Sequence, residues 1–351
     1  MTLLPIVEPS LRPRLPEWLR VQLPAGRAQA AFNVTDGAVH DHALHTVCEE
    51  ARCPNVHDCW SQGTATFMIA GKSCTRGCRF CSVETLRAPE PPDADEPERL
   101  AGACGRLNLD HVVITVVNRD DLPDGGAAHY RACVEAVRRR LPDAGIELLS
   151  SDLAGNWEAL ESLVVGAPLD VFAHNVECVP RLDREVRDPR ASFFLSLEVL
   201  LRAKELRPDV ATKSSLMVGL GETDAEVTAA LQELRGAGVD LLTIGQYLAP
   251  GKPGTRFLPV ARYVPPEQFA AWERESLAMG FRGVAAGPLV GGSYKAGALL
   301  AATGGTPCPS ARPLGETAAN SWARSSEAVN CIPIGPIRRT PERGLSSTWN
   351  G

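Results

Sequence analysis

The chain has 351 residues, 44% of them hydrophobic and 22% charged, with a formal net charge of −6. That is enough for a barrel-sized core with extensions, at the composition of an ordinary globular protein. The acidic balance gives no basic nucleic-acid footprint, and no apolar run approaches the roughly 20 residues of a membrane helix. The opening MTLLPIVEPSLRPRLPEWLR lacks the apolar core of a secretory signal, and Glu8 and Glu17 fit poorly with an amphipathic transit helix. Eleven cysteines without such a signal point to a reducing, cytoplasmic setting and to metal ligation in place of disulfides.

Residues 1 to about 40 are rich in proline and arginine and are expected to form an arm wrapping the outside of a domain. In VCEEARCPNVHDCW, Cys48, Cys53 and Cys59 are separated by four and then five residues, with His42, His45 and His57 close by. A zinc site of three cysteines and one histidine is one reading, although structural zinc ligands usually sit about two to four residues apart. In SCTRGCRFC, Cys74, Cys78 and Cys81 are separated by three and then two residues, and Phe80 precedes the last thiol. Three thiolates on so short a loop leave a zinc shell incomplete. They can hold three irons of a 4Fe–4S cube and leave the fourth iron open to something that is not protein.

Six strands are expected, at 64–70, 111–117, 146–150, 170–174, 212–219 and 241–246, alternating with helices at 96–107, 127–141, 157–165, 195–206 and 224–235. A further helix is expected to start at Pro265 and Pro266 and to run to about Met279. The helix at 224 opens with the capping-box residues Thr223 and Glu226 and closes near Gly236 and Gly238. Strands alternating with helices imply an α/β fold whose parallel sheet is linked by crossover helices. The strand count alone fits a barrel or an open doubly wound sheet. Cys104, Cys133 and Cys178 fall in or beside these elements and are expected as small buried hydrophobes without a role. From about Thr303 to Gly351 the chain holds Pro, Gly, Ser, Thr and Arg without a period, a tail that cannot bury a core; Cys308 and Cys331 there are expected as free thiols.

The C-x3-C-x2-C triplet resembles the radical S-adenosylmethionine (SAM) enzymes. Its combination with the earlier C-x4-C-x5-C triplet resembles the lipoyl synthases. GTATFMIAGKSCTRGCRFCSV, VVITVVNRDDLPDGGAAHY, DVFAHNVECVPRL, KSSLMVGLGET and GQYLAP are similar to that family, and the likeness runs from about residue 15 to about residue 300. The resemblance implies a partial (β/α)6 barrel of the TIM type. It divides the chain into an N-terminal extension with auxiliary cluster ligands at 1–62, the barrel at 63–290, a closing segment at 291–302 and the tail at 303–351.

In such barrels chemistry sits at the C-terminal strand ends. By resemblance, two 4Fe–4S clusters and SAM are the cofactors. Cys74, Cys78 and Cys81 would ligate the cluster that cleaves SAM, while Cys48, Cys53, Cys59 and Ser293 would ligate the auxiliary one. The DDLPDGG loop, with Asp121, would approach the methionine end of SAM, and Met217 to Gly221 the adenosine. Phe80, Asn175, Glu177, Lys213, Met217, Gly219 and Gln246 are the other expected cofactor contacts. The family carries Arg-Ser-Ser-Tyr where this chain has Gly291, Gly292, Ser293 and Tyr294, so the serine ligand is kept and its arginine neighbour is missing.

The implied activity is a sulfurtransferase reaction, radical insertion of two sulfurs at C6 and C8 of a protein-bound octanoyl-lysine. The implied partners are octanoylated lipoyl domains of 2-oxoacid dehydrogenases and the glycine-cleavage H protein, an electron donor such as flavodoxin or ferredoxin, and an iron–sulfur delivery protein; neither nucleic acid nor membrane is expected. Another radical SAM sulfur-inserting enzyme, an iron–sulfur or zinc module, and a degenerate lipoyl synthase are the alternatives.

Overall fold

The computed structural model of the protein describes residues 15–301, apart from 22–24, 43, 52, 62–64 and 252–254. The expected tail with Cys308 and Cys331, and the first part of the expected arm, lie outside the described residues.

In chain order the elements are α1 (Arg27–His40), β1 (His45–Thr46), α2 (Val47–Glu50), α3 (Val56–Ser61), β2 (Thr66–Ile69), β3 (Ser73–Cys74), β4 (Glu84–Thr85), α4 (Glu96–Leu107), β5 (His111–Val116), α5 (Ala127–Arg140) and β6 (Gly145–Leu149). They continue with α6 (Trp157–Val164), β7 (Val171–Ala173), α7 (Asp183–Val186), α8 (Phe193–Leu206), β8 (Ala211–Val218), α9 (Asp224–Gly236), β9 (Leu241–Gln246), α10 (Pro266–Met279), β10 (Gly283–Gly287) and α11 (Ala296–Ala301). The helices start where the sequence supplies caps. Thr223 and Glu226 form the reciprocal capping box of α9, and Ser192 and Asn156 cap α8 and α6. Asn108 ends α4 in the left-handed conformation.

One sheet runs β1-β2-β5-β6-β7-β8-β9-β10. Every pair from β2 to β10 is parallel, and β1 lies antiparallel on β2. The order never reverses. Each crossover therefore steps the same way around the sheet, as in a barrel, whereas a doubly wound sheet changes direction at a switch point. The sheet is an unclosed barrel, with β1 and β10 at its edges.

Strand alternation sorts the two faces. Val112, Ile114, Ile146, Leu148, Leu216, Val218, Leu242 and Ile244 belong to two apolar cores shared with the helices. The other face carries His111, Thr115, Glu147, Lys213, Ser215, Thr243 and Gly245, small or polar side chains lining the barrel interior. After β10 the chain turns back along this interior. A Cβ on Gly245 would collide with the Val290 carbonyl, one on Gly292 would touch Asn175 and Ser215, and Gly297 packs on His111. Ser293 then accepts a hydrogen bond from Thr66 on β2. Residues 288–297 thus bridge the two ends of the open sheet.

Two expectations need correction. The arm reading fails at Arg27–His40, a 14-residue helix that buries Thr35, Ala38 and Val39. Its Asn33, Val34, Thr35 and Gly37 are weak helix formers that hide it from a pattern search, and the Thr35 hydroxyl on the Trp60 carbonyl anchors it. The seventh parallel strand, β10, was not expected, because GVAAG has no branched apolar run; its pairing with β9 decides its conformation.

Lys213 and Glu147 form an ion pair at 2.7 Å, each side chain 2% exposed. Removing one partner strands the other charge. Lys213→Ala should lower the unfolding free energy by roughly 3–5 kcal/mol in a denaturant titration. The double change to Met and Leu should recover most of that loss.

Candidate active site

Seven parallel strands end on one edge, and the loops leaving them meet there. The loop after β2 reverses through Ala70 and Gly71, with φ of 67° and 95°, and enters β3, whose pairing with β4 ties both ends of the 73–85 loop together. Cys74 Sγ accepts the backbone N–H groups of Arg76 at 3.4 Å and Asn118 at 3.3 Å. Cys78 Sγ accepts that of Asp188 at 3.3 Å. Arg256 donates to the carbonyls of Cys78, Cys81 and Val83, holding the loop from outside.

Arg76, between the first two of these thiols, is buried and spans two carboxylates. Its guanidinium bonds Asp120 at 2.7 Å and Asp152 at 2.6 Å. Burial opposes the charge, but the bonds to Asp120 and Asp152 outweigh it and keep the guanidinium protonated. Asp188 accepts the Gly77 N–H and pairs with Arg190, which also reaches Asp120. The loops after β2, β5 and β6 and the turn after α7 are thereby locked together.

The other thiol set begins beside β2. Thr46 ends β1 and caps α2, which carries Cys48; Cys53 N–H returns to the Cys48 carbonyl, and Cys59 lies in α3. Ser293 meets the Thr66 hydroxyl at 2.8 Å, and the Thr66 backbone in turn hydrogen-bonds Cys48. Tyr294 donates to Asp58 at 3.1 Å, next to Cys59, and Lys295 lies near enough to favour the Cys59 thiolate. Ser82, following Cys81, donates to the Glu50 carbonyl, joining the two cysteine loops.

Desolvation raises Cys53 and Cys78 to about 11 and Cys59 and Cys81 to about 12, and within each set the neighbouring thiols add to the rise. Such thiols stay protonated unless a metal takes them as thiolates. A single zinc would hold its sulfurs about 2.3 Å from the ion, hence less than 4 Å apart. Among the described residues, only Glu96, His129 and Cys133 gather three donor atoms within 4.8 Å of one another. Neither cysteine triplet is that tight. A cubane does not need that closeness, because each cysteine takes a different iron. Of the nearby histidines, His45 faces Glu50, the His57 ring lies against Phe32, and His42 packs against Gly102 on α4.

The expected cofactor contacts divide. Glu177, at φ 66°, is close enough to Cys78 and Cys81 to raise both thiols. Asn175 bonds Glu177, and the Met217 N–H meets the Glu177 carbonyl at 2.9 Å. Phe80 is half-buried against the second core. The remaining four have partners within the scaffold. Asp121 pairs with Arg119, Lys213 with Glu147, the Gly219 N–H with Glu222, and the Gln246 amide with the backbone of Val218, Tyr247, Arg262 and Val264. Arg76, Asp152, Asp188 and Arg256 were missed, and Asp120 was read only as part of the DDLPDGG loop. Only Arg76, inside the cysteine spacing, carried a local signal. Asn118, Asp120, Ser151 and Asn156 line a cavity of about 310 Å³ between the loops after β5 and β6.

A model of the radical SAM superfamily matches residues 68–245, and one of the N-terminal domain of lipoyl synthase matches residues 6–53. The chain is 52% identical over 291 residues to a lipoyl synthase of Halorhodospira halophila, covering 83% of this chain and 85% of that one. It is 50% identical to the mitochondrial lipoyl synthase of Bos taurus and 49% to that of Homo sapiens, in each case covering 82% of this chain and 76% of the relative.

His174, at the end of β7, is buried between the Ser150 carbonyl at 2.8 Å and the Ser196 hydroxyl at 2.9 Å. Arg187 also donates to the Ser196 hydroxyl, which sets its positive charge near the ring. Burial pulls the His174 pKa from 6.5 down to about 4. With the folded value below the unfolded one, its contribution to stability is full above pH 6.5 and is lost as pH falls towards 4. Between pH 6.5 and 5, His174→Gln should lose roughly 2 kcal/mol less unfolding free energy than the wild type.

Proposed function

The chain belongs to the lipoyl synthase family of the radical SAM superfamily, and we propose that it inserts two sulfurs, at C6 and C8, into an octanoyl chain carried on a lysine of a lipoyl domain. It is a sulfur-inserting enzyme whose cofactors are SAM and iron–sulfur clusters. Bound at the two thiol sets, these cofactors supply hydrogen removal from an unactivated carbon and the sulfur that replaces it. No side chain could substitute, because an alkane C–H is far too weak an acid for a general base.

The observation that carries this reading is the convergence of Ser293, Thr66 and the Cys48 set, joined through Ser82 and Glu50 to the Cys81 loop. Cys74, Cys78 and Cys81 hold the SAM-cleaving cluster, and backbone N–H groups spread the charge of the first two sulfurs. Cys48, Cys53, Cys59 and Ser293 hold the auxiliary one. A serine oxygen is a harder donor than a thiolate and a weaker match for cluster iron, which suits a cluster that must give up sulfur. Asn175, Glu177 and Met217 are the proposed SAM contacts.

The carriers proposed are 2-oxoacid dehydrogenase subunits and the glycine-cleavage H protein. A flavodoxin or ferredoxin donor and an iron–sulfur delivery protein follow from the cofactor set. A reducing cytoplasm is the proposed setting, supported by the free cysteines; among the described residues no helix is long and apolar enough to cross a membrane.

Anaerobic protein reconstituted with iron and sulfide, then given SAM, reductant and an octanoylated lipoyl-domain peptide, should add two sulfurs to the peptide while releasing 5′-deoxyadenosine. Ser293→Ala should keep 5′-deoxyadenosine formation but lose roughly tenfold or more in sulfur insertion, about 1.4 kcal/mol of transition-state stabilisation. Unchanged insertion and iron content would remove Ser293 from the ligand set. A Cβ on Gly291 meets nothing within 4 Å, so Gly291→Arg should fold with an unchanged melting temperature. Iron per chain in that variant should rise above the wild-type value.

A further inference from the structure

Ala70 is fully buried and sits at φ 67°, a conformation in which an L-residue's Cβ crowds its own carbonyl and which glycine normally occupies. It is the last residue before the chain turns through Gly71 towards Cys74. Both polar groups of Ala70 are held. Its N–H donates to Glu96 Oε2 at 2.7 Å, and its carbonyl accepts from Arg119 Nη1 at 3.1 Å. The holders are buried and are themselves fixed. His129 Nε2 lies 2.6 Å from the same Glu96 oxygen, and Arg119 grips Asp121 through two bonds of 2.7 and 2.8 Å.

A buried carboxylate and a buried guanidinium on either side of one strained residue are far more than a turn requires, since glycine alone would make the turn. Their placement explains them. Arg119 is next to Asn118, whose N–H donates to Cys74 Sγ and whose carbonyl accepts the Thr75 N–H and hydroxyl. Hydrogen bonds to cluster sulfurs are among the levers on a cluster's potential. A shift at Ala70 or Arg119 would therefore move a donor on a cluster sulfur, although neither side chain touches a thiol.

We propose that Ala70, with Glu96 and Arg119 as its positioning residues, forms a strained seat that fixes the orientation of the Cys74–Cys81 loop and thereby tunes the cluster it holds. The inference rests on the reading of Cys74, Cys78 and Cys81 as cluster ligands. It gives His129 a supporting part through Glu96, and gives Asp121 one through Arg119 in place of direct contact with SAM.

Ala70→Gly is the test, because it relieves the strained φ without removing either holder and so spares the fold. Reconstituted holoenzyme should keep its melting temperature and iron content. It should show a shifted reduction potential, a broadened paramagnetic resonance spectrum of the SAM-bound reduced cluster, and several-fold more 5′-deoxyadenosine per sulfur inserted. Glu96→Gln, which can still accept the Ala70 N–H, should fall between Ala70→Gly and the wild type. A potential, spectrum and coupling ratio all unchanged in Ala70→Gly would overturn the seat. A wild-type spectrum indifferent to SAM would overturn the cluster reading itself, and the inference with it.

Discussion

Arg76 is the tie on which the site depends. Its side chain is 2% exposed, and its guanidinium meets Asp120 and Asp152 at once. Burying three charges is expensive, and such a group is tolerable only when its donors meet well-placed acceptors. Four of the five N–H groups do: Nε and Nη2 reach Asp120, and Nη1 and Nη2 reach Asp152. Because Arg76 lies within the Cys74–Cys78 interval, this pairing carries the geometry of the loops after β5 and β6 directly to the thiols. Burial works against both acids, yet the bonds from Arg76 hold each carboxyl below its usual range.

Each thiol set is desolvated, and neither is tight enough to chelate one ion. A multi-iron group satisfies that arrangement, since it turns the costly buried thiols into ligands. Between the sets, the Ser82–Glu50 bond and the passage of residues 288–297 along the barrel interior bring N-terminal and C-terminal parts of the chain to the same loop edge. The segment spans the open seam of the barrel, between β10 at one edge and Thr66 on β2 near the other.

Much of the scaffold was legible because its signals are local. The capping box at Thr223 and Glu226 marked α9 to within one residue at its end, and β9 was placed in full. The cysteines were legible by spacing. What escaped notice depends on distance in the chain. Arg76, Asp120, Asp152 and Asp188 become a network only once four loops converge. In the same way, the pairing of Lys213 with Glu147 across β7 has no local signal in the chain. Small residues hid β10 and weak formers hid α1, both of which owe their conformation to packing and pairing.

The central claim is that the thiol set beside Ser293 supplies sulfur to a carbon activated by the set beside Arg76. Protein reconstituted with heavy-isotope sulfide, freed of unbound sulfide and given SAM, reductant and octanoylated peptide in ordinary medium tests it most directly. The account predicts a peptide bearing two heavy sulfurs, with iron lost from the protein in step. A product carrying light sulfur, or heavy sulfur from a protein lacking Cys48, Cys53 and Cys59, would contradict it.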